Sequence, residues 1–178
     1  VIETAELNET ASILIELDTP GGMLESTREI VTLILESEIP IITYVAPYGA
    51  RAGSAGTFIV AASHIAAMAP TTNIGAASPV SADGSNLNNT LQNKATQDAA
   101  ALMRSISEAR SRNTTALEAT IFEAKAYSSE EALEKNIIDK IAQDREELLT
   151  MINGMVVTTQ TGPTTIDTES INLQEAKR

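Results

Sequence analysis

The sequence predicts an α/β fold with a mainly parallel sheet flanked by helices. Two observations carry this. Short β-branched and leucine runs alternate with segments whose apolar residues recur every three or four positions. Turn residues separate them, and strand–helix–strand order implies parallel pairing through right-handed crossovers. With 178 residues and 43% hydrophobic content, one domain of about 150 residues plus a tail is expected.

Ser12–Leu17 is a run suited to a strand buried on both faces, stopped by Asp18-Thr19-Pro20-Gly21-Gly22. Leu24, Thr27, Val31 and Ile34 mark one face of a helix that ends before Pro40. Ile41–Ala46 is a second strand and Pro47–Gly53 a turn-forming stretch. Ser54–Ala62, small and apolar, is a helix able to pack closely on a sheet, and Ile65–Met68 is a third strand. Pro79–Asn93, rich in Asn, Ser and Gly, is expected to be a mobile surface loop. A long helix to about Arg112 follows it. Ser128 with Glu131 forms a capping-box pattern opening the helix Glu130–Lys135. Ile137–Ala142 then reads as a strand, and Asp144–Ile152 as a helix closed by Gly154. Met155–Thr168 is a candidate hairpin and 169–178 a polar linker. Val1–Leu7 reads as the end of a helix.

Composition removes several classes of chemistry. The net charge of −12 repels phosphate backbones, and five aromatics leave few stacking platforms, so a nucleic-acid partner is not expected. Zero cysteine excludes thiol catalysis, thiolate metal sites and disulfides. A single histidine, His64, excludes sites built from several imidazoles. Neither Ile30–Val45 nor Phe58–Met68 reaches the length of a membrane span, so the chain itself is expected to be soluble.

Two turns stand at equivalent strand-to-helix handovers. The backbone N–H groups of Gly21 and Gly22, unobstructed by side chains, can face a developing negative charge. In Gly53-Ser54-Ala55-Gly56, Ser54 sits near a helix N-terminus with the Ala55 N–H beside it. Both turns emerge at one sheet edge in a parallel α/β unit, so one serine faces two donors. Each feature alone is more often structural: a tight turn, or a serine N-cap. A serine nucleophile needs a base. His64 lies ten residues away, about 15 Å along a helix, and is expected to pack structurally. Among the five lysines, Lys94 differs from Lys125, Lys135, Lys140 and Lys177 because it follows the Asn-rich loop at the edge of an apolar stripe. An ordinary exposed lysine is the bland alternative. A lysine drawn into an apolar cleft loses hydration, its pKa falls, and it becomes able to take a serine proton.

Four segments together resemble the NfeD-type membrane-bound serine proteases of the Clp protease/crotonase superfamily, relatives of signal peptide peptidase A. They are Leu17–Gly22, Gly49–Thr57, Met68–Ala77 and Tyr127–Asp139, in order across about residues 1–150. The resemblance implies a Clp protease/crotonase-like fold with a protease domain over 1–153 and a connector over 154–178 leading toward a membrane region. It implies Ser54 as nucleophile, Lys94 as general base, Gly22 and Ala55 as oxyanion donors, and Gly21 assisting the turn. No cofactor or metal is implied. A homodimer, a stomatin-like membrane protein as substrate, cut in hydrophobic stretches, and an extracytoplasmic domain of a membrane-anchored parent are. Members usually carry Gly where Thr71 stands and often His where Ser78 stands, a departure expected to alter the substrate channel and leave the dyad intact. The family's first strand is expected to be missing. Two other readings compete: a silent scaffold that binds a stomatin-like partner, and a crotonase-type enzyme acting on acyl-thioesters.

Overall fold

The computed structural model describes Ile2, Ala5, residues 11–79, residues 89–169 and Gln174. The first β–α–β unit forms as the periodicity requires, with β1 at Ile13–Leu17, α1 at Leu24–Leu35 and β2 at Ile41–Val45. The stretch Pro47–Gly53 is not only a turn, since Arg51–Gly53 is a short strand, β3. Next come α2 (Ala55–Ala62), β4 (Ile65–Met68) and β5 (Asn73–Gly75), followed by α3 (Asn89–Ala109) and α4 (Thr114–Phe122). The C-terminal part holds β6 (Ala126–Ser128), α5 (Ser129–Glu134), β7 (Lys140–Ile141), α6 (Arg145–Ile152), β8 (Val156–Thr159) and β9 (Gly162–Thr165).

The main sheet has the order β1-β2-β4-β7, and every pairing in it is parallel. Residues of β2 and β4 are buried without exception, which is why those runs carry no polar alternation. Successive side chains feed two cores. Ile41, Val45, Ala66 and Met68 meet Val31 and Ile34 of α1, the small residues of α2, and Ala99, Met103 and Ile106 of α3. Ile42, Tyr44, Ile65 and Ala67 meet Leu148 and Ile152 of α6 with Val157 and Ile166 at the hairpin. The hairpin foreseen at Met155–Thr168 is therefore packed on the sheet, with Val157 and Ile166 buried.

A second sheet, β3-β5-β6, pairs β3 with β5 in parallel and β5 with β6 antiparallel. A parallel bridge between Thr19 and Ala52 links it to the end of β1.

Several expectations need correction. The loop foreseen at Pro79–Asn93 gives way to helix at Asn89, and residues 80–88 lie outside the described residues. Helix α4 was not foreseen, and the strand expected over Ile137–Ala142 shrinks to two residues. Ile137 and Ile138 are buried, but the Ile137 N–H donates to Ala132 O at 2.8 Å, closing α5 through Asn136 in the left-handed region. The Ser128–Glu131 capping box forms with both of its hydrogen bonds. Of Val1–Leu7, Ile2 and Ala5 are helical.

Candidate active site

Arg51 O accepts the Thr19 N–H at 2.8 Å and Thr19 O accepts the Gly53 N–H at 3.0 Å, so the two turns are laced together by backbone. The Thr19 hydroxyl spans Gly21, accepting from its N–H and donating to its carbonyl, each at 3.1 Å. Asp18 Oδ1 accepts the Arg51 N–H at 3.0 Å. The Gly21-Gly22 loop is thereby folded against the start of α2. A Cβ on Gly21 would stand 2.9 Å from Ser54 Cβ, and one on Gly53 would stand 2.9 Å from Pro20 O. Glycine is required at both positions by this close approach.

Ser54 occupies the N-cap position of α2 with φ 49° and ψ −110°, and its side chain makes no capping bond. Asn113, Ser128 and Asp144 do cap their helices through side-chain oxygens. The ordinary N-cap reading of Ser54 therefore fails, and its hydroxyl is left for other work. Such a backbone conformation costs on the order of 1–3 kcal/mol and persists only where the surroundings fix it. Here the Ser54 N–H donates to Gly75 O at 2.9 Å and Ser54 O accepts the Thr57 N–H at 3.0 Å. Among the described residues, the N–H groups of Gly22 and Ala55 have no acceptor. Gly21, Gly22, Ser54 and Ala55 are thus brought together, not at the edge of one sheet as expected, but where the end of β1 in the main sheet is bridged to β3 of the second sheet.

Lys94 stands exposed in the second turn of α3, and among the described residues no hydrogen bond joins it to Ser54. The expected apolar enclosure is not provided by the described part of this chain. Its end of the molecule is nonetheless defined. Arg110, just past α3, donates through Nε to Ala62 O at 2.6 Å and through Nη2 to Ile34 O at 3.3 Å, joining the C-terminal ends of three helices. Nearer the other end, Arg28 of α1 pairs with Asp98 of α3. Helices α1, α2 and α3 therefore run side by side in one direction, with Gly22, Ser54 and the first turns of α3 at the same end. Lys94 lies four residues before Asp98, about 6 Å further toward that end and on the same helix face.

His64 sits at the opposite end of α2. Its Nδ1 accepts the Ile41 N–H at 3.1 Å, while Nε2 is buried without a partner. Burial, reinforced by Arg110, lowers its pKa to about 4, so the ring is neutral. The structural role expected for His64 is what is found. The lysines expected to be plain surface residues include Lys125 and Lys135, whose ammonium groups instead flank the Tyr127 ring at 5.6 and 6.0 Å from its centre. Ser78 is anchored by its hydroxyl to Ile121 O.

Sequence reasoning missed the group that holds the far end of α2. Arg112, its side chain 2% exposed, donates to Ala61 O, Ser63 O and Ile137 O at 3.1 Å each, and to Asp139 Oδ2 at 2.9 Å. The last carbonyls of a helix made only of small and apolar residues are thus satisfied by guanidinium groups. The only signal was indirect, the lack of any polar residue in α2 able to close it.

Residues 1–160 match the family model described as the NfeD1b N-terminal domain. The chain belongs to that family. Membrane-bound protease PH1510 of Pyrococcus horikoshii is 53% identical over 74 residues, which span 42% of this chain and 17% of that protein. A solved lysine-to-alanine mutant of 1510-N, a membrane-bound stomatin-specific protease in complex with a substrate peptide, matches with TM-score 0.89 and 36% identity. The match covers 99% of this NfeD1b-type chain and 82% of that one. A serine-to-alanine mutant of 1510-N matches with TM-score 0.88 and 36% identity, over 99% and 87% of the respective chains. ClpP1 from Listeria monocytogenes shares the fold, with TM-score 0.63 at 19% identity over 83% of this chain and 82% of that one. The Clp protease-like architecture expected for this NfeD1b-type domain is therefore its fold.

Proposed function

We propose that this domain is a serine endopeptidase with Ser54 as nucleophile and Lys94 as general base. The observation that carries the reading is the Ser54 elbow: a hydroxyl not spent on capping, on a strained backbone, pressed against the Gly21-Gly22 loop. Ser54 Oγ attacks the peptide carbonyl, and the N–H groups of Gly22 and Ala55 receive the negative charge that develops on its oxygen. Gly21 supplies the turn that aims Gly22. Lys94 takes the serine proton, delivers it to the leaving amine, and then activates the water that frees the acyl group. A base role requires an ammonium stripped of water, and Lys94 is exposed in the single chain. Its desolvation accordingly comes with bound substrate or with a second copy of the chain, in line with a homodimer.

The substrate we propose is a hydrophobic stretch of a stomatin-like membrane protein, by similarity to 1510-N. Residues 1–153 form the body of the protease domain, the hairpin that follows packs on its sheet, and the remainder of 154–178 leads as a connector toward a membrane region of a larger, membrane-anchored parent whose protease domain is extracytoplasmic. Among the described residues no helix is long and apolar enough to cross a membrane. Peptide panels test this. Apolar peptides are expected to be cut at least tenfold faster than charged ones, and Ser54→Ala and Lys94→Ala to lose turnover while remaining folded. Binding of apolar peptides without cleavage by folded wild-type protein would favour the scaffold reading instead.

A further inference from the structure

One buried hydroxyl beneath the elbow is not used by the mechanism above. Thr57 lies in the first turn of α2 and is fully buried. Its Oγ1 is 3.0 Å from Ala52 O on β3 and 3.1 Å from Gly75 O on β5, so a single donor bridges two adjacent strands of the second sheet. Gly75 O is also the acceptor of the Ser54 N–H, at 2.9 Å. The same threonine donates its backbone N–H to Ser54 O at 3.0 Å. Thr57 therefore holds both sides of the Ser54 peptide backbone: the carbonyl directly, and the N–H through the Gly75 oxygen that it helps to fix.

Gly75 itself has no freedom to shift toward β6. It has φ 133°, and a Cβ there would lie 2.3 Å from Lys125 O, while the neighbouring Ala76 N–H donates to Lys125 O at 2.8 Å. The Gly75 carbonyl is thus held from the β6 side by backbone and from the α2 side by the Thr57 hydroxyl. A catalytic hydroxyl on a strained backbone keeps its aim only while such contacts over-determine it.

We propose that Thr57 is a positioning residue for the nucleophile: its hydroxyl fixes the Gly75 carbonyl and thereby the Ser54 elbow. This rests on the reading of Ser54 as nucleophile. It requires Thr57 to govern how often Ser54 Oγ is aligned with the scissile carbonyl, not how tightly peptide binds. Loss of the hydroxyl lowers kcat and leaves KM nearly unchanged.

The test compares Thr57→Val, which keeps the shape and removes the donor, with Thr57→Ser, which keeps the donor and removes a methyl. Thermal unfolding by circular dichroism establishes that each variant is folded at the assay temperature. Peptide cleavage and the rate of fluorophosphonate labelling at Ser54 are then measured. Thr57→Val is expected to lose at least tenfold in kcat and in labelling rate with KM within twofold, and Thr57→Ser to recover most of both. Should Thr57→Val not fold, Thr57→Cys, a weaker donor of similar size, is expected to label at least threefold more slowly than wild type. A folded Thr57→Val that labels at the wild-type rate, or a loss confined to KM, overturns the proposal while leaving Ser54 as nucleophile. Peptide cleavage that survives Ser54→Ala unimpaired overturns the underlying reading as well, and the two failures are told apart by that variant.

Discussion

Gly21 and Ser54 are in such close contact that a single methyl group on the glycine would come within 2.9 Å of the serine Cβ. Gly21 also has φ 141°, a backbone conformation that side-chain-bearing residues rarely adopt. Gly22, by contrast, would place a Cβ 3.6 Å from Ala55 Cβ, an ordinary contact. Gly21→Ala is therefore expected to displace the donor loop from the nucleophile and lower kcat at least ~100-fold, the scale of a lost oxyanion donor. Gly22→Ala is expected to be much milder. Steady-state cleavage of an apolar peptide by the two variants, side by side, checks the contrast.

Arg112 is a second point of leverage, at the other end of α2. Removing its side chain strips three buried backbone carbonyls of this donor and takes the ion pair from the half-buried Asp139 carboxylate, which keeps the Ala66 N–H. Arg112→Ala is expected to cost about 3–5 kcal/mol, chiefly because carbonyls of buried residues left without a donor cost about 1–3 kcal/mol each. Arg112→Lys is expected to recover little, since one ammonium cannot span the same acceptors. Urea unfolding followed by circular dichroism measures both.

His64 makes stability depend on pH in a defined window. Its folded pKa of about 4 lies below the ordinary 6.5, so the unfolded chain binds the proton first as pH falls. Stability from this group is intact above pH 6.5 and is lost progressively down to about pH 4. At 1.36 kcal/mol per pKa unit the loss amounts to about 3 kcal/mol. His64→Asn keeps an acceptor for the Ile41 N–H and removes the titration. The difference in unfolding free energy between wild type and variant is expected to narrow as pH drops from 6.5 to 4.

Thr71 carries φ 63°, where a β-branched side chain clashes with its own backbone. The resemblance that places glycine at this position in other members has a physical reason here. Thr71→Gly is expected to stabilise the fold by about 0.5–1 kcal/mol, after the extra chain entropy of glycine is subtracted. Urea midpoints of the two proteins decide it.

What the sequence made legible was set by the range of the forces involved. The β1–α1–β2 unit, the serine elbow and the Ser128–Glu131 cap rest on local periodicity and local turn chemistry, and all formed. Strands β3 and β5 were missed because three residues each, Arg51–Gly53 and Asn73–Gly75, pair only across the chain and carry no pattern of their own. Helix α4 was missed because Thr114–Phe122 is apolar on several sides and packs against α3 without a clear stripe. Ile137 and Ile138 looked like strand because β-branched apolar runs serve equally well in a buried helix-closing turn. In the site, Gly21, Gly22, Ser54 and Ala55 were legible as two glycine-bearing turns before helices, but the one sheet edge expected for both is two sheets, since Ser54 follows β3 and Gly22 follows β1. Thr57 and Arg112 act through carbonyls brought near by the fold, so no spacing rule could reveal them.

The most direct measurement is reaction of the folded protein with a fluorophosphonate, followed by mass spectrometry of its peptides, in wild type and in Lys94→Ala. The expected result is a single adduct on Ser54, formed at least ~100-fold more slowly once the lysine is gone, in keeping with the rates general-base catalysis supplies. Folded wild-type protein that takes no adduct, or takes it on another serine, would contradict the assignment of Ser54 and with it the proposed reaction.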